Sequence, residues 1–319
     1  MTTRAKTIYV AGHTGLVGHA LCPQIQAAGC ARLVVRTHQE LELTDQAAVD
    51  AFFAAERPDS VVLLAGRVGG ILANNTYPGD FIEQNLLIQT NVLRAALRAH
   101  VRRLLFFGSV CIYPREAAVP VREAALLTGP LEATNDAYAV AKIAGILQCH
   151  AYNRQHGTQY LGLMPANLYG PHDNFHPHDA HVIPALLRRF HEAAQRGDAS
   201  VTLCGTGAPR REFLFADDLA RAAVQLLQLD DAAWGALLAE SRYPIVNAGS
   251  GEEVTIRDLA EQIRALTGFR GEIVWDTTKP DGTPSRMMDS TRMRRLGWQP
   301  LVPLSAGLAQ AYRWFAGRK

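Results

Sequence analysis

Tyr138 and Lys142 are the residues of this chain whose types and spacing most directly suggest chemistry. They lie four positions apart in the segment 135–142, NDAYAVAK, which predicts a helix with both side chains on one face. An ammonium beside a phenol favours the phenolate, so we expect Lys142 to lower the pKa of Tyr138 from its usual value of about 10. Such a phenol could exchange a proton with a carbonyl oxygen near neutral pH. Because the pair is common on solvated helices, its meaning depends on the elements around it.

Those elements alternate between strand and helix patterns. Apolar runs predict strands at 7–11, 33–36, 60–64, 103–107 and 159–164, and helices are predicted at 16–28, 46–56, 81–100 and 136–156. The strands do not alternate in polarity, which favours a parallel sheet covered on both faces. We therefore predict an α/β fold with a Rossmann-type doubly wound parallel sheet.

The pattern loosens after Pro165. A loop is predicted at 167–181, helices at 182–196, 215–229, 255–267 and 304–315, and strands at 201–203, 243–247 and 272–275. These elements predict a smaller, discontinuous C-terminal α/β domain for the substrate. We assign 1–170 and 212–250 to the nucleotide-binding Rossmann domain, and 171–211 and 251–319 to the substrate domain.

Composition excludes several classes of function. With 319 residues, 48% of them hydrophobic, and a net charge of +2, the chain can bury a large core and gives no bulk electrostatic signal for nucleic acid. It has no apolar run long enough to span a membrane, and 1–6 do not resemble a signal peptide. Its five cysteines are spread widely without a C-x-x-C motif, which favours a reducing, cytosolic setting.

A glycine-rich turn joins the first predicted strand to its helix. Gly12, Gly15 and Gly18 form a G-x-x-G-x-x-G pattern, with Leu16 and Val17 at the start of the helix. Such a turn lets the backbone approach a pyrophosphate at the positive end of a helix. A tight turn with a packing glycine would give the same pattern, but its place in a βαβ unit favours a dinucleotide site.

Arg36 ends the second predicted strand, where the ribose-contacting residue of a dinucleotide site is expected. An acidic residue there would favour NAD, whereas an arginine accommodates a 2′-phosphate. We therefore predict NADP(H) as the cofactor, with a solvated surface arginine as the alternative. Asp45 could cap the helix that follows or lie near the adenine, and the sequence does not separate these.

Ser109 follows the fourth predicted strand, in the run GSVCIYP at 108–114. Ligands bind at the carboxyl ends of strands in open parallel sheets, so this hydroxyl is placed to bond a substrate carbonyl that Tyr138 protonates. Taken alone, a serine at a turn or helix cap is the more common outcome.

Together, Ser109, Tyr138, Lys142 and the glycine turn resemble the extended short-chain dehydrogenases/reductases. Longer strings resemble one family among them, the GDP-L-fucose synthases. The strings are RVGGILANNTYP (67–78), CIYP (111–114), TNDAYAVAKIAG (134–145), NLYGPHDNFHP (167–177), HVIPALLRRF (181–190) and KPDGTP (279–284). This resemblance covers nearly the whole chain.

The resemblance implies NADPH-dependent 3,5-epimerisation and 4-reduction of GDP-4-keto-6-deoxy-D-mannose. It makes Cys111 and His181 the base and acid of epimerisation, while Ser109 and Tyr138 stabilise an enolate and Tyr138 protonates the reduced oxygen. It also implies that Lys142 holds the nicotinamide ribose, and that Tyr138 and His181 contact the cofactor. Without the surrounding strings, Cys111 would be interpreted as a small buried hydrophobe and His181 as a cap or a satisfied polar histidine.

On the substrate side, the resemblance places Arg189, Arg211 and Lys279 near the diphosphate, with Asn167 near the sugar or diphosphate. A solvated basic face is the alternative for the arginines, and ordering of its own loop for Asn167. No metal is predicted, because the spacing of the histidines at 172, 176, 178 and 181 fits no zinc pattern.

The chain also departs from the family pattern. Thr14, Cys204, Ser285 and Val110 stand where an arginine, a tryptophan, a basic residue and a second serine are common. These departures leave open a related GDP-4-keto sugar, such as a 3,6-dideoxyhexose or a heptose, and a member that only reduces or only epimerises. A non-catalytic protein with this fold would be expected to lose the Ser–Tyr–Lys residues, all of which are present. The family resemblance further implies a homodimer formed through the two long helices at 81–100 and 136–156.

Overall fold

The computed structural model describes residues 7–30, 32–177, 179–279 and 281–318. The predictions that involve 1–6, His178 and Pro280 therefore lie outside the described residues. Within the described ranges, no helix is both long and apolar enough to cross a membrane.

The first half of the chain alternates strand and helix, as predicted. Its elements are β1 (Thr7–Ala11), α1 (Leu16–Ala27), β2 (Arg32–Arg36), α2 (Gln46–Glu56), β3 (Ser60–Leu63), α3 (Ile71–Thr76), α4 (Pro78–Arg98), β4 (Arg103–Phe107), α5 (Asp136–His156) and β5 (Gln159–Pro165). Two 3₁₀ turns, Val110–Ile112 and Glu123–Ala125, follow β4. Helix α3 was missed by the sequence analysis, because it is one short segment between Gly70 and Pro78.

The second half is more irregular. Its elements are β6 (Asn167–Tyr169), α6 (Val182–Arg196), β7 (Ser200–Cys204), β8 (Arg210–Phe215), α7 (Ala216–Gln228), α8 (Asp231–Ala239), β9 (Ile245–Ala248), β10 (Glu253–Thr255), α9 (Ile256–Thr267), β11 (Glu272–Asp276), α10 (Thr291–Arg295) and α11 (Leu304–Ala316). The sequence analysis missed β6, β8, β10, α8 and α10, which are short or directly abut a longer element.

The central sheet confirms the predicted α/β fold. Its six strands run in the order β2-β1-β3-β4-β5-β9, and every neighbouring pair is parallel. The strand order reverses beside β1, and open parallel sheets bind ligands at the carboxyl ends of their strands at such a point. The glycine turn after β1 and Ser109 after β4 lie at this edge.

Two further sheets extend beyond the central one. Strand β8 pairs parallel with β6 and antiparallel with β10, and β7 pairs parallel with β11. Asn167 on β6 and Arg211 on β8 lie towards the same edge of the central sheet. The part of β7 that is next to Arg189 lies there as well.

The apolar side chains form two separate cores. The larger core packs around the central sheet, with Val10, Val62 and Leu105 fully buried, and it includes Met293 and Trp298 from the C-terminal segment. The smaller core joins α6, α9 and α11 to β7 and β8. On this basis we propose that the chain has a nucleotide-binding domain and a smaller substrate domain, with the segment around Met293 packed on the former.

Candidate active site

A single cleft runs along the carboxyl edge of the central sheet and into the smaller core. Its volume is about 1440 Å³, which exceeds the size of a typical pocket for one small ligand and is enough for two extended molecules side by side. Most of the residues predicted for the site line this cleft: Gly12, Gly15, Leu16, Val17, Gly18, Arg36, Ser109, Tyr138, Lys142, Asn167, His181, Arg189 and Arg211. Cys111 lies directly behind Ser109, and Lys279 is exposed and does not line the cleft.

The glycine turn has the geometry of a phosphate cradle. At Gly12, with φ of +92°, a β-carbon would come within 2.7 Å of the Ala65 nitrogen, and at Gly18 it would come within 2.4 Å of His13. The packing of the fold therefore requires glycine at positions 12 and 18, whether or not a ligand is bound. Gly15 is different, because it is exposed and a β-carbon there would meet nothing closer than 3.6 Å.

Gly15 is also the N-cap of α1, without a capping side chain, and the first turn of that helix contains no acidic residue. The backbone N–H groups of the first turn of α1 therefore face the cleft, at the positive end of the helix dipole. This arrangement fits a pyrophosphate, and it explains a glycine at position 15 that internal packing does not require.

Arg36 reaches the cleft from the end of β2, as predicted. Its guanidinium pairs with Glu56, donates to the Val35 carbonyl at 2.7 Å and lies 5.3 Å from the centre of the Phe52 ring. The side chain is about one-third exposed and is held in place by these contacts. It therefore presents an oriented cation at the cleft, although part of its charge is balanced by Glu56.

Ser109 and Cys111 share one tight turn. Ser109 caps the 3₁₀ turn, and its hydroxyl oxygen accepts a hydrogen bond from the Cys111 backbone nitrogen at 3.4 Å. This turn points the Ser109 side chain into the cleft and keeps the Cys111 thiol 7% exposed behind it. The hydroxyl of Ser109 lowers the pKa of both Cys111 and Tyr138, so it lies between the two groups.

Tyr138 and Lys142 lie on one face of α5, one turn apart, as predicted. The Lys142 ammonium is 3% exposed, donates to the Phe107 carbonyl at 3.1 Å and lies 5.8 Å from the centre of the Tyr138 ring. An edge contact with Phe81, at 6.2 Å between ring centres, fixes the Tyr138 ring from the opposite side.

The predicted direction of the Tyr138 pKa shift was wrong. Burial, together with the nearby Cys111, raises the pKa of Tyr138 above its ordinary value, whereas Lys142 donates to the Phe107 carbonyl instead of to the phenol. Burial also lowers the pKa of Lys142 to about 8, although Cys111 acts in the opposite direction. The phenol is thus held protonated, which is the state that a proton donor needs.

The pKa values of Cys111 and His181 are shifted in opposite directions, and each shift favours the uncharged form of the side chain. Burial raises the pKa of the Cys111 thiol, and this outweighs the Ser109 hydrogen bond and the positive charges of Arg286 and Lys142. His181, the N-cap residue of α6, lines the cleft and is exposed to it, and partial removal of its ring from water lowers its pKa. Its ring makes no hydrogen bond to the described residues. The resting pair is therefore an uncharged thiol and an uncharged imidazole.

The basic residues predicted for the substrate side lie on the smaller domain. Arg189 donates to the Thr202 carbonyl at 3.0 Å, and Arg211 donates to the Thr283 carbonyl at 2.6 Å, so both guanidiniums are oriented by backbone oxygens. The Asn167 amide donates to the Glu212 carbonyl at 3.0 Å, which links β6 to β8. Lys279 is exposed at a turn after β11.

Two residues near the site carry chemistry that the sequence analysis did not assign. Asp173 lines the cleft at 8% exposure, one of its carboxylate oxygens has no hydrogen-bond partner among the described residues, and burial raises its pKa to about 7. Arg286, at 9% exposure, donates to the Val110 and Tyr113 carbonyls that flank Cys111. Asp173 lies within the string NLYGPHDNFHP at 167–177, which was given no role for it, and Arg286 lies two residues after the string KPDGTP that ends at Pro284.

The described residues contain no group of three or more His, Cys, Asp or Glu side chains arranged to hold a metal ion. Within them, His172 stacks on His19 at 3.7 Å between ring centres, and His176 pairs with Asp179 at 3.2 Å.

The fold and this site define a nucleotide-dependent enzyme of the extended dehydrogenase/reductase type. Residues 8–236 match the NAD dependent epimerase/dehydratase family, so the chain belongs to that family. Within it, the chain is similar to GDP-L-fucose synthases over nearly its whole length.

The relatives and a solved structure give the extent of this similarity. The chain is 54% identical to a probable GDP-L-fucose synthase 1 of Oryza sativa subsp. japonica, covering 97% of this chain and 91% of that protein. It is 50% identical to the GDP-L-fucose synthase of Escherichia coli K12, covering 97% and 96%. It also superposes on a GDP-D-glycero-L-gluco-heptose synthase from Campylobacter jejuni, solved in the presence of NADPH, with a TM-score of 0.89, 35% identity, and 99% of each chain covered.

Proposed function

We propose that this chain is an NADPH-dependent bifunctional enzyme that converts GDP-4-keto-6-deoxy-D-mannose into GDP-L-fucose by 3,5-epimerisation and 4-keto reduction. The observation that carries the proposal is the meeting of two sets of groups at one cleft. Ser109, Tyr138 and Lys142, the proposed reductase triad, line the cleft together with His181, and Cys111, the proposed partner of His181 in proton transfer, is hydrogen-bonded to Ser109 directly behind it. The GDP-L-fucose synthases named above support the choice of substrate.

NADPH supplies the hydride that reduces C4 of the sugar. In this chain the backbone around Gly15 would hold its pyrophosphate and Arg36 its 2′-phosphate. Lys142, buried at the centre of the cleft, would hold the nicotinamide ribose.

Epimerisation depends on the acidity of the carbons beside the 4-keto group. Removal of a proton from C3 or C5 leaves an enolate, whose oxygen Ser109 and Tyr138 would stabilise as hydrogen-bond donors. Inversion requires a base on one face of the sugar and an acid on the other, and Cys111 and His181 would be this pair. Both are uncharged at rest, so the Cys111 thiol would first have to lose its proton to solvent before, as a thiolate, it takes a proton from the sugar.

Reduction uses the raised pKa of Tyr138. The phenol remains protonated at neutral pH, so it can donate its proton to the C4 oxygen as that oxygen gains charge. Lys142, whose ammonium lies 5.8 Å from the centre of the Tyr138 ring, would then stabilise the phenolate by its charge.

The diphosphate would bind to the oriented guanidiniums of Arg189 and Arg211, with Lys279 at the edge of the cleft. Arginine suits this task because its planar fork pairs two phosphate oxygens at once. Asn167 would contact the sugar or diphosphate through its amide oxygen, since its amide nitrogen is committed to the Glu212 carbonyl.

A second candidate is the same chemistry on a GDP-linked heptose. The Campylobacter heptose synthase, which covers nearly the whole chain, favours it. Its 35% identity is well below the 54% and 50% of the two GDP-L-fucose synthases, so we retain the deoxyhexose as the substrate.

The purified protein should oxidise NADPH in the presence of GDP-4-keto-6-deoxy-D-mannose, and NMR of the product should show GDP-L-fucose. An unepimerised GDP-deoxyhexose would remove Cys111 and His181 from the mechanism. Turnover with GDP-4-keto-heptose but not with the deoxyhexose would favour the second candidate.

We also propose that the enzyme is a homodimer in the cytoplasm. Leu87 on α4 and Val140 and Leu147 on α5 are 42%, 44% and 37% exposed, so the paired long helices present apolar surface that a second copy could cover. The reduced thiols of Cys22, Cys111, Cys149 and Cys204 suit a reducing compartment.

A further inference from the structure

Arg286 reaches the active-site turn from the C-terminal segment of the chain. Its guanidinium nitrogen Nη1 donates to the Val110 carbonyl at 3.2 Å and to the Tyr113 carbonyl at 3.4 Å. These two carbonyls stand on either side of Cys111, and the backbone nitrogen of Arg286 is fixed by the Glu253 carboxylate at 3.1 Å. Arg286 therefore clamps the turn that carries Cys111.

The charge of this guanidinium is not balanced by an ion pair. Arg286 is 9% exposed, and no carboxylate of the described ranges lies within 4.0 Å of its guanidinium. Burying a cation against neutral carbonyls costs free energy that an anion nearby would offset. The negative charges that act on this guanidinium are those of Cys111, when it is a thiolate, and of Glu132.

The Cys111 thiol is the first of these two groups. The groups that face it are the Ser109 hydroxyl from its own turn, the Tyr138 phenol and the Lys142 ammonium from α5, and the Arg286 guanidinium. Arg286 and Lys142 both act to lower the pKa of the thiol, while burial raises it. In the proposed function, Lys142 stabilises the Tyr138 phenolate and holds the nicotinamide ribose. Arg286 has neither role, so its charge can act on Cys111.

We infer that Arg286 is a positioning residue for epimerisation, which fixes the Cys111 turn and stabilises the Cys111 thiolate by its charge. This inference rests on the proposed function, in which a thiolate takes the proton from the sugar carbon, becomes a thiol and leaves the C–H electron pair in the enolate. No oxidation or reduction accompanies that step. Hydride transfer and protonation by Tyr138 do not require Arg286.

The first test measures the thiol itself in the full-length protein. The rate of Cys111 alkylation by iodoacetamide is followed against pH by peptide mass spectrometry in wild type, Arg286→Lys, Arg286→Gln and Arg286→Met. Loss of the charge should lower the alkylation rate at a given pH by about tenfold or more, because a nearby opposite charge shifts a pKa by about 1 or more. Arg286→Lys, which keeps the charge, should stay close to wild type, and Arg115→Gln removes an exposed charge near Arg286 as a control.

Arg286→Gln separates charge from shape, because its amide can still donate to a carbonyl of the turn. If this variant is folded and alkylates with the wild-type pH profile, Arg286 is only a structural clamp and the inference is wrong. Arg286→Met tests the same charge with no donor. If Arg286→Met is unstable, comparison of Arg286→Lys with Arg286→Gln still shows whether the charge at this position affects the thiol.

The second test measures two activities separately. Exchange of the C3 and C5 protons with deuterated solvent should fall about tenfold or more in Arg286→Gln, while NADPH binding is unchanged. If exchange is retained with a shifted thiol profile, Cys111 is not the base and the inference fails as a statement about catalysis. If wild-type protein converts no GDP-4-keto sugar at all, the proposed function fails, whereas the alkylation profile still decides whether Arg286 stabilises the thiolate.

Discussion

At the scale of single residues, each group in the cleft has a protonation state that its surroundings explain. Burial keeps Tyr138 protonated and Lys142 only weakly basic, and it holds Cys111 and His181 uncharged. A cleft that binds a neutral sugar ring beside two charged nucleotides benefits from this arrangement, since charge then develops only on the reacting atoms.

Tyr138→Phe should abolish reduction because it removes the proton donor and leaves the ring packing intact. We expect NADPH consumption to fall by about 10²–10⁴-fold, the usual range for a general acid, with NADPH affinity unchanged by fluorescence titration. Tyr152→Phe is the matched control, since Tyr152 lies on the same helix and its hydroxyl contacts Gln148. Normal reduction by Tyr138→Phe would mean that another group supplies the proton.

Cys111→Ser should suppress exchange of the C3 and C5 protons with deuterated solvent, because an alcohol is far less acidic than a thiol and supplies almost none of the anion that would act as the base at neutral pH. The exchange is read from the sugar by NMR, with Cys204→Ser as the control, since Cys204 is an exposed cysteine that lines the same cleft. Exchange at the wild-type rate in Cys111→Ser would exclude Cys111 from the mechanism.

Gly15→Ala should weaken NADPH binding without affecting folding. A β-carbon at Gly15 meets no protein atom closer than 3.6 Å but would project at the capped end of α1 where the pyrophosphate is expected. We expect at least about a tenfold loss of affinity, or about 1.4 kcal/mol, with an unchanged thermal transition. Gly235→Ala, at a helical glycine with open space around it, should leave binding unchanged. Equal binding by both variants would place the cofactor phosphates elsewhere.

At the scale of elements, the helix bounds show what a sequence can predict. The predicted bounds of α2, α5 and α6 agree fully with the structure, because each helix carries a local end signal. Asp45 accepts hydrogen bonds from Ala47 and Ala48 at the start of α2, which decides its role in favour of a cap. Gly157 and Gly197 end α5 and α6 in the left-handed conformation.

Strand β8 shows why other elements were missed. It was predicted as loop running into a helix, yet it pairs with both β6 and β10, which are distant from it along the chain. Pairing of this kind leaves no periodicity in the local sequence. Arg286 was missed for the same reason at the residue scale, since its contacts with Val110 and Tyr113 are made across the fold and belong to no local motif.

The Asp173 carboxyl, in the loop 171–181, gives a testable prediction about stability and pH. Burial raises the pKa of Asp173 to about 7, well above its unfolded value, so its contribution to stability is full below pH of about 4 and is lost as the pH rises through about 7. An asparagine side chain does not ionise, so Asp173→Asn does not lose stability as the pH rises. The variant should therefore gain stability over wild type between these pH values, by up to a few kcal/mol at about 1.4 kcal/mol per pKa unit.

Denaturant unfolding of both proteins across this pH range measures the gain. A constant difference between Asp173→Asn and wild type at every pH would mean that the Asp173 carboxyl titrates normally.

At the scale of the whole molecule, one cleft is lined by elements that pack on the two hydrophobic cores. The central sheet contributes the cofactor side and the proton donor, whereas α6 and β8 contribute His181 and the predicted diphosphate ligands. The Ser–Tyr–Lys triad and the glycine turn were predictable because they are local patterns. The electrostatics were not, because the pKa of Tyr138 depends on burial, which only the assembled fold determines.

Assembly can be tested on the same scale. Leu147→Arg places a charge on the exposed apolar surface of α5 and should shift the protein towards monomer in size-exclusion chromatography with light scattering. Leu301→Arg, at a leucine that is 62% exposed near the start of α11, is the matched control. A dimer that persists in Leu147→Arg would move the interface away from the long helices.

The measurement that tests the central claim most directly is a single turnover with GDP-4-keto-6-deoxy-D-mannose and NADPH in deuterated water, followed by NMR of the sugar. Our account predicts GDP-L-fucose with solvent deuterium at C3 and C5 and the cofactor hydride at C4, so that one site has performed both reactions. A reduced sugar that keeps its original hydrogens and configuration at C3 and C5 would contradict it, because Cys111 and His181 would then have no part in the reaction.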